Sequence, residues 1–190
     1  LIADGKVIQV GTSVNLPKGT QIINLSGKSI YPSFIDIYSS FGIKKPKKSS
    51  VNYTKTQYEA SRDGYYWNDH IRPDINPIKS FSYDKKDALE LIKAGFGVVN
   101  THMEDGIIRG NGILVALNSN STDAYRILDS KSAQYLSFSK SSASRQAYPS
   151  SKMGAIALLR QVYNDAYWYA QGKMKNKDMA LKALNKNKNL

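Results

Sequence analysis

Two histidines are the side chains of this sequence best suited to acid–base or metal chemistry, and they lie in different surroundings. His102 ends an apolar run and is followed by Glu104, so the two could exchange protons at one end of a strand. His70 lies in the aromatic and polar stretch "YYWNDHIRPD", two residues before Arg72. For His102 the preferred interpretation is a hydrogen-bonded structural histidine, whereas for His70 a binding cleft and a self-packed loop are both left open. These four residues are therefore candidates for a cleft or an acid–base site, and no catalytic residue is assigned.

Composition excludes several chemistries. The 190 residues contain no cysteine, which rules out disulfides, thiolate nucleophiles and cysteine-rich zinc sites. The formal net charge is +12, and the lysines concentrate at Lys44–Lys48 and after Gly172. Lysine runs are typical of solvated faces, although a basic, aromatic surface that binds a polyanion or a partner protein is the alternative. The scarcity of arginine argues against nucleic acid.

No run approaches the ~20 consecutive apolar residues of a membrane-spanning helix, so we expect a soluble chain without a membrane span. The sequence begins at Leu1 and not at Met, which leaves room for an upstream segment. The compartment stays open, since a bacterial cytoplasm or periplasm would fit equally.

Short strands and turns are predicted before residue 40. Asp4-Gly5 separates two apolar runs and predicts a two-residue hairpin turn. Further strands are expected at Gln21–Leu25 and over residues 33–38. Residues 44–82 carry no clear periodicity and predict an irregular insertion, anchored by aromatic residues at 65–67.

A helix followed by a buried strand is the clearest local signal. Asp84 is a suitable N-cap, Gly95 a suitable C-terminal stop, and "FGVVNTH" a buried strand from Phe96 to His102. This order is typical of parallel α/β structure. A turn at Gly106 to Gly112 should precede another strand over residues 112–118. The segments "AYRIL" and "AQYLSFS" predict two shorter strands.

In the last third of the chain, the sequence predicts a serine-rich flexible loop followed by two helices. The first helix should begin after Pro149, with Ser150 or Ser151 as its cap, and end at Gly172. The second should cover about Asp178 to Leu184. Helical spacing assigns the core face of the first helix to Ile156, Leu159, Tyr163, Ala166, Tyr167 and Ala170.

Two stretches resemble the amidohydrolase superfamily, especially its imidazolonepropionase-like members. The first is "IADGKVIQVGTSVNLPKGTQIINLSGKSIYPSFIDIYSS", which is similar to the family's opening strands and its "PGFID" entry into the first barrel strand. The second is "KKDALELIKAGFGVVNTH", which is similar to the following helix and strand. The resemblance covers residues 1–43 and 84–102. The matching residues of the first stretch are Asp4, Gly5, Lys6, Val10, Gly11, Gly27, Lys28, Pro32, Phe34, Ile35 and Asp36.

The resemblance implies an α/β fold with N-terminal β-sandwich strands and a partial (β/α)8 TIM-like barrel. Residues 1–30 would belong to a small composite β-sandwich. Residues 31–190 would form the first part of a metal-dependent-hydrolase-like barrel, with the insertion at about 44–82. A complete barrel needs about 250 residues, so the remainder of the same polypeptide or a second chain should complete it. A homo-oligomer is also compatible with open strand edges.

The family's metal motif is replaced in this chain. Members bind a divalent metal through His-x-His at the end of the first barrel strand, and the matching positions hold Tyr38 and Ser40. A phenol and a neutral hydroxyl are poor ligands at neutral pH, so no cofactor is expected in this segment. Zinc or another divalent metal is expected only at an intact downstream site. We therefore predict a segment of an amidohydrolase, a protein that hydrolyses amide-type C–N bonds, that is inactive on its own. A third reading is a hydrolase whose site is assembled from further chains, with His102 contributing.

Overall fold

The computed structural model of the chain describes residues 1–49, 62–118 and 122–186. Its contacts divide the chain into two compact units, Leu1–Pro32 and Ser33–Leu190. The assignment of the first unit to a β-sandwich stays a prediction.

The first unit contains one β-hairpin. Strand β1, Ile2–Ala3, pairs antiparallel with β2, Lys6–Val7. Asp4 and Gly5 both have positive φ, 51° and 72°, as a type I′ turn requires. The strand expected at Gln21–Leu25 does not form, because these residues pair with no other strand within residues 1–32. Without a neighbouring strand, an apolar run has no partner for the backbone hydrogen bonds of a β-sheet.

The second unit is built on a mixed sheet in the order β3-β4-β5-β6, with β7 also paired to β5. The bounds are Phe34–Ser39 for β3, Phe96–His102 for β4, Ile108–Ala116 for β5, Ile127–Asp129 for β6 and Gln134–Leu136 for β7. Strands β3 and β4 are parallel, whereas β4, β6 and β7 all run antiparallel to β5. The parallel α/β order predicted from the sequence is therefore present at β3-α1-β4, and an antiparallel hairpin follows.

Helix α1, Lys85–Lys93, makes the crossover between the two parallel strands. The Asp84 carboxylate accepts hydrogen bonds from the backbone N–H groups of Lys86 (2.8 Å) and Asp87 (3.1 Å), which satisfies two donors of the first turn. Gly95 adopts φ 96° immediately after the helix. The predicted cap and stop are both confirmed.

Strand β5 begins four residues earlier than the sequence predicted. The pairing of β5 with β7 shifts register between Ile108 and Gly110, and Gly110 has φ 88°. The glycine-rich stretch is thus a bulge inside the strand and not a turn before it. The "AYRIL" segment was also predicted wrongly in part, because helix α2, Asp123–Arg126, precedes the three residues of β6.

Helices α3, Lys152–Ala170, and α4, Met179–Lys186, pack together in the second unit. Ser151 caps α3 through a hydrogen bond that its Oγ accepts from the Gly154 N–H (3.1 Å). The predicted core face of α3 is correct for Ala166 and for the partly buried Leu159, and wrong for the other residues assigned to it. The buried residues are Ala155, Leu158, Val162 and Ala166, whereas Ile156, Tyr163 and Tyr167 are exposed. No helix among the described residues is both long enough and apolar enough to cross a membrane.

Two buried clusters hold the second unit together. One joins α3 and α4 to the start of β5 and includes Ile71 and Tyr66. The other joins α1 to the centres of β4 and β5 through Ala88 and Val99. The predicted insertion at 44–82 is anchored in the first cluster by Tyr66, and its only described helix is a 3-10 turn at Pro77–Lys79. Residues 50–61 of that insertion lie outside the described residues.

Candidate functional site

Four side chains meet at the ends of the parallel strands. Tyr38 lies near the end of β3, His102 ends β4, Arg109 is near the start of β5, and Tyr135 is in β7. We call these four residues the strand-end cluster. Only five residues connect β4 to β5, and this hairpin brings Arg109 back toward His102.

Aromatic contacts hold the cluster in one geometry. The His102 ring stacks on Tyr135, with ring centroids 3.7 Å apart and planes 3° from parallel. The Tyr38 ring meets His102 edge-on at 4.6 Å. The Tyr135 hydroxyl donates a hydrogen bond to the Ile37 carbonyl oxygen (2.7 Å). His102 is therefore fixed between two tyrosines and fully buried.

Arg109 supplies the permanent charge of the cluster. Its Nη1 donates a hydrogen bond to the Tyr38 hydroxyl oxygen and lies 3.4 Å from His102 Nε2. Its Nε donates to the Gly106 carbonyl oxygen (3.1 Å). The guanidinium is buried. The cluster is consequently a buried cation beside the buried His102 ring and the half-exposed Tyr38 ring.

His102 is neutral at physiological pH. Burial first, and then the positive charge of Arg109, lower its pKa to about 4, while Glu104 and the backbone of Ser39 act in the opposite direction. With Arg109 donating toward Nε2, the proton of the neutral ring lies on Nδ1. Nδ1 is buried and makes no hydrogen bond of normal geometry with the described residues.

Glu104 faces a different partner from the one the sequence suggested. Its carboxylate forms an ion pair with Lys45 Nζ at 2.8 Å, and hydrogen bonding to Lys45 is the main cause of its lowered pKa. Its influence on His102 is electrostatic. The structure therefore places Glu104 beside His102 without joining the two in a proton-transfer pair.

His70 is buried in a separate network. Its Nδ1 accepts a hydrogen bond from the Ser141 N–H (3.0 Å), and its Nε2 lies 3.3 Å from the Gln146 carbonyl oxygen. Burial is the main reason why its pKa is lowered. Both ring nitrogens are engaged, which is the arrangement of a structural histidine. Its neighbour Arg72 is tied to Ile108 through the backbone, and the Arg72 Nε is buried without a partner among the described residues.

The serine-rich segment predicted as a flexible loop is ordered around Asp105. The Asp105 carboxylate accepts hydrogen bonds from the Ser141 hydroxyl, the Ser142 N–H (2.7 Å) and the Ser142 hydroxyl (3.0 Å). Gln146 donates to the Trp67 carbonyl oxygen (2.8 Å). The loop and the insertion thus support each other. Sequence reasoning missed Arg109 and Tyr135; an arginine inside the apolar run "GIIRGNGILV" was the available signal for the former.

Tyr38 and Ser40, which the sequence resemblance aligned with a metal motif, do not fit a metal ion. The Tyr38 hydroxyl is held by the Arg109 guanidinium, and a second cation placed on the same oxygen would be repelled. Ser40 offers a neutral hydroxyl. Within the part of the chain that the structure describes, no three His, Cys, Asp or Glu side chains converge as a metal site would require.

These features define a mixed α/β chain with an amidohydrolase-like fold. The structure resembles the crystal structure of an amidohydrolase from Thermotoga maritima MSB8, with a TM-score of 0.67 and 21% sequence identity. The match covers 96% of this chain and 49% of that one, so the chain spans about half the length of the solved structure. No family model and no curated protein matches the sequence. The likeness supports the mixed α/β, amidohydrolase-like part of the predicted fold, whereas the β-sandwich and the (β/α)8 barrel stay predictions.

Proposed function

We propose that this chain is a scaffold segment of an amidohydrolase-like protein and does not itself carry out hydrolysis. The observation that supports this most directly is the contact between Arg109 and Tyr38. An amidohydrolase-type mechanism needs a metal ion that activates water for attack on an amide-type C–N bond. Here the matching position presents a phenol whose oxygen already accepts a hydrogen bond from an arginine.

The remaining candidates do not supply an alternative catalytic pair. His102 is neutral, stacked and buried, and Glu104 is bound to Lys45. A general base must reach a substrate proton, whereas the Nε2 edge of His102 faces Arg109. Hydrolysis in the complete protein would therefore use residues outside this chain, and a divalent metal would belong to that other site.

The open side of the sheet supports a role in assembly. Within the described residues β3 pairs only with β4, and it exposes Phe34, Ile35 and Ile37 by 66%, 58% and 74%. We propose that the remainder of the same polypeptide, or a second chain, adds strands at this edge and completes a (β/α)8-type barrel. The first unit would contribute its strands to a composite β-sandwich.

Metal analysis of the purified chain tests the proposal. After expression in zinc-supplemented medium and gel filtration, mass spectrometry of the metal content should give far less than one zinc ion per chain. The matched control is the His102→Gln variant, which removes a histidine of the strand-end cluster. One tightly bound ion per chain that is lost in His102→Gln would overturn the proposal.

A further inference from the structure

A basic cleft on the second unit lies apart from the strand-end cluster. It has a volume of about 520 Å³ and is bounded by the 3-10 turn, the loop after β6 and helix α4. Four lysines line it, and we call the site the lysine cleft: Lys79, Lys131, Lys182 and Lys186. Three separate elements thus contribute lysines to the lining of one concave space.

The positive charge of the lysine cleft is not neutralised locally. All four lysine side chains are exposed, and none forms an ion pair with a carboxylate of the described residues. Asp74 on the cleft wall is bound by Arg62, with Nη1 to Oδ2 at 2.7 Å and Nη2 to Oδ1 at 3.3 Å. That carboxylate therefore does not offset the lysines.

The remaining wall combines Tyr65, Asn76 and Asn111 with the apolar residues Pro73, Met179 and Ala183. Tyr65 lines the cleft, and the Arg62 guanidinium lies over its ring at 4.1 Å from the centroid. Asn76 also lines it and is fixed because its Oδ1 accepts a hydrogen bond from the Ile78 N–H (3.1 Å). The wall is consequently held in place before any ligand arrives, which lowers the entropy lost on binding.

We propose that the lysine cleft binds a small molecule that carries several phosphate groups. Lysine ammonium groups bind phosphate as compact point charges, and four lysines from three elements supply enough positive charge for several phosphate groups. The volume lies in the range of about 300–1,000 Å³ that is usual for small-molecule sites. A polynucleotide would instead follow an extended basic stripe with stacking residues along it. The proposal is independent of the scaffold role, since the cleft shares no residue with the strand-end cluster.

Calorimetric titration of the purified chain with inorganic tripolyphosphate tests the site. The chain should bind tripolyphosphate more tightly than orthophosphate. In the double variant Lys131→Glu/Lys182→Glu the affinity should fall about tenfold or more, because each reversal replaces an attraction by a repulsion. The matched control Lys85→Glu/Lys152→Glu has the same change in net charge at exposed positions outside the cleft, and we expect less than about a twofold loss.

Two further arms separate the outcomes. Binding should weaken as sodium chloride is raised, and Lys131→Arg/Lys182→Arg should keep most of the affinity because the charge is retained. Circular dichroism checks that each variant is folded. Equal losses in both double glutamate variants would mean that net charge and not the cleft is responsible, which overturns the proposal. Tighter binding of a single-stranded oligonucleotide, abolished by the same cleft variant, would overturn it in favour of a nucleic acid.

Discussion

Arg109 determines which groups the Tyr38 hydroxyl can bind, because its guanidinium already donates a hydrogen bond to that oxygen. A metal ion bound to the Tyr38 phenol oxygen would have to lie beside the Arg109 guanidinium, which would repel it. The Arg109 guanidinium therefore lies beside both the Tyr38 hydroxyl and His102 Nε2, two atoms of the cluster that could otherwise bind a metal ion.

At the same scale, we expect His102 to make the chain sensitive to acid. Its pKa is about 4 in the folded protein and about 6.5 in an unfolded chain. Between these pH values His102 binds a proton in the unfolded state but stays neutral in the folded state. The free energy of unfolding therefore falls as the pH decreases from about 6.5 to 4. Urea denaturation followed by tryptophan fluorescence should show this loss, and His102→Gln should show a smaller one.

A surface substitution provides the control for this pH dependence. Lys85→Gln changes an exposed residue and should leave the slope of stability against pH unaltered. A nuclear magnetic resonance titration of the His102 ring gives the pKa directly. A value near 6.5 would show that neither burial nor Arg109 perturbs the ring, and would contradict the geometry described for the cluster.

At the scale of elements, the sequence predicted those features that depend on neighbouring residues. The β3-α1-β4 segment was predicted correctly because its capping aspartate, its terminating glycine and its apolar strand each act within a few residues. The start of β5 was not predictable in this way, since its first residues pair with β7 across a bulge at Gly110, whose backbone packs against Ile75. In the site, His102 was found from its own strand, whereas Arg109 reaches it through the β4–β5 hairpin and Tyr135 through the pairing of β5 with β7.

The buried face of α3 shows why spacing alone was insufficient. Apolar residues surround this helix, so several faces satisfy helical periodicity. The packing partner selects one of them, and α4 together with the start of β5 selects the face that carries Leu158. The sequence contains no local signal for that choice. Tyr163 and Tyr167 were assigned to the core because they are large and regularly spaced, yet both are exposed.

Two substitutions on α3 test this face directly. Leu158 is fully buried, whereas Ile156 is 41% exposed. We expect Leu158→Ala to lower the free energy of unfolding by about 2–5 kcal/mol, because it removes packed methyl groups and leaves a cavity. Ile156→Ala is the matched control and should cost less than about 1 kcal/mol. Chemical denaturation of both variants provides the measurement. Equal losses of unfolding free energy would contradict the buried face that carries Leu158 and favour the face predicted from spacing.

At the scale of the whole molecule, β3 is an edge strand of the second unit and pairs with no strand other than β4 among the described residues. Strand β3 is parallel to its one neighbour and carries large apolar residues. Parallel strands in stable domains are usually buried on both faces. An exposed apolar edge of this kind is a surface on which another strand can pair, which agrees with the structural likeness to a protein about twice as long.

We therefore expect the isolated chain to associate with itself through β3 as its concentration rises. Ile35 and Ile37 lie on the same face of the strand and are both exposed. The double variant Ile35→Lys/Ile37→Lys should shift the chain toward a monomer in light-scattering chromatography, because charges on an edge strand oppose further pairing. Met153→Lys/Ile156→Lys adds the same two charges to exposed positions of α3 and should leave the association unchanged. Loss of association in the α3 variant but not in the β3 variant would place the interface on the helix and contradict completion of the sheet at β3.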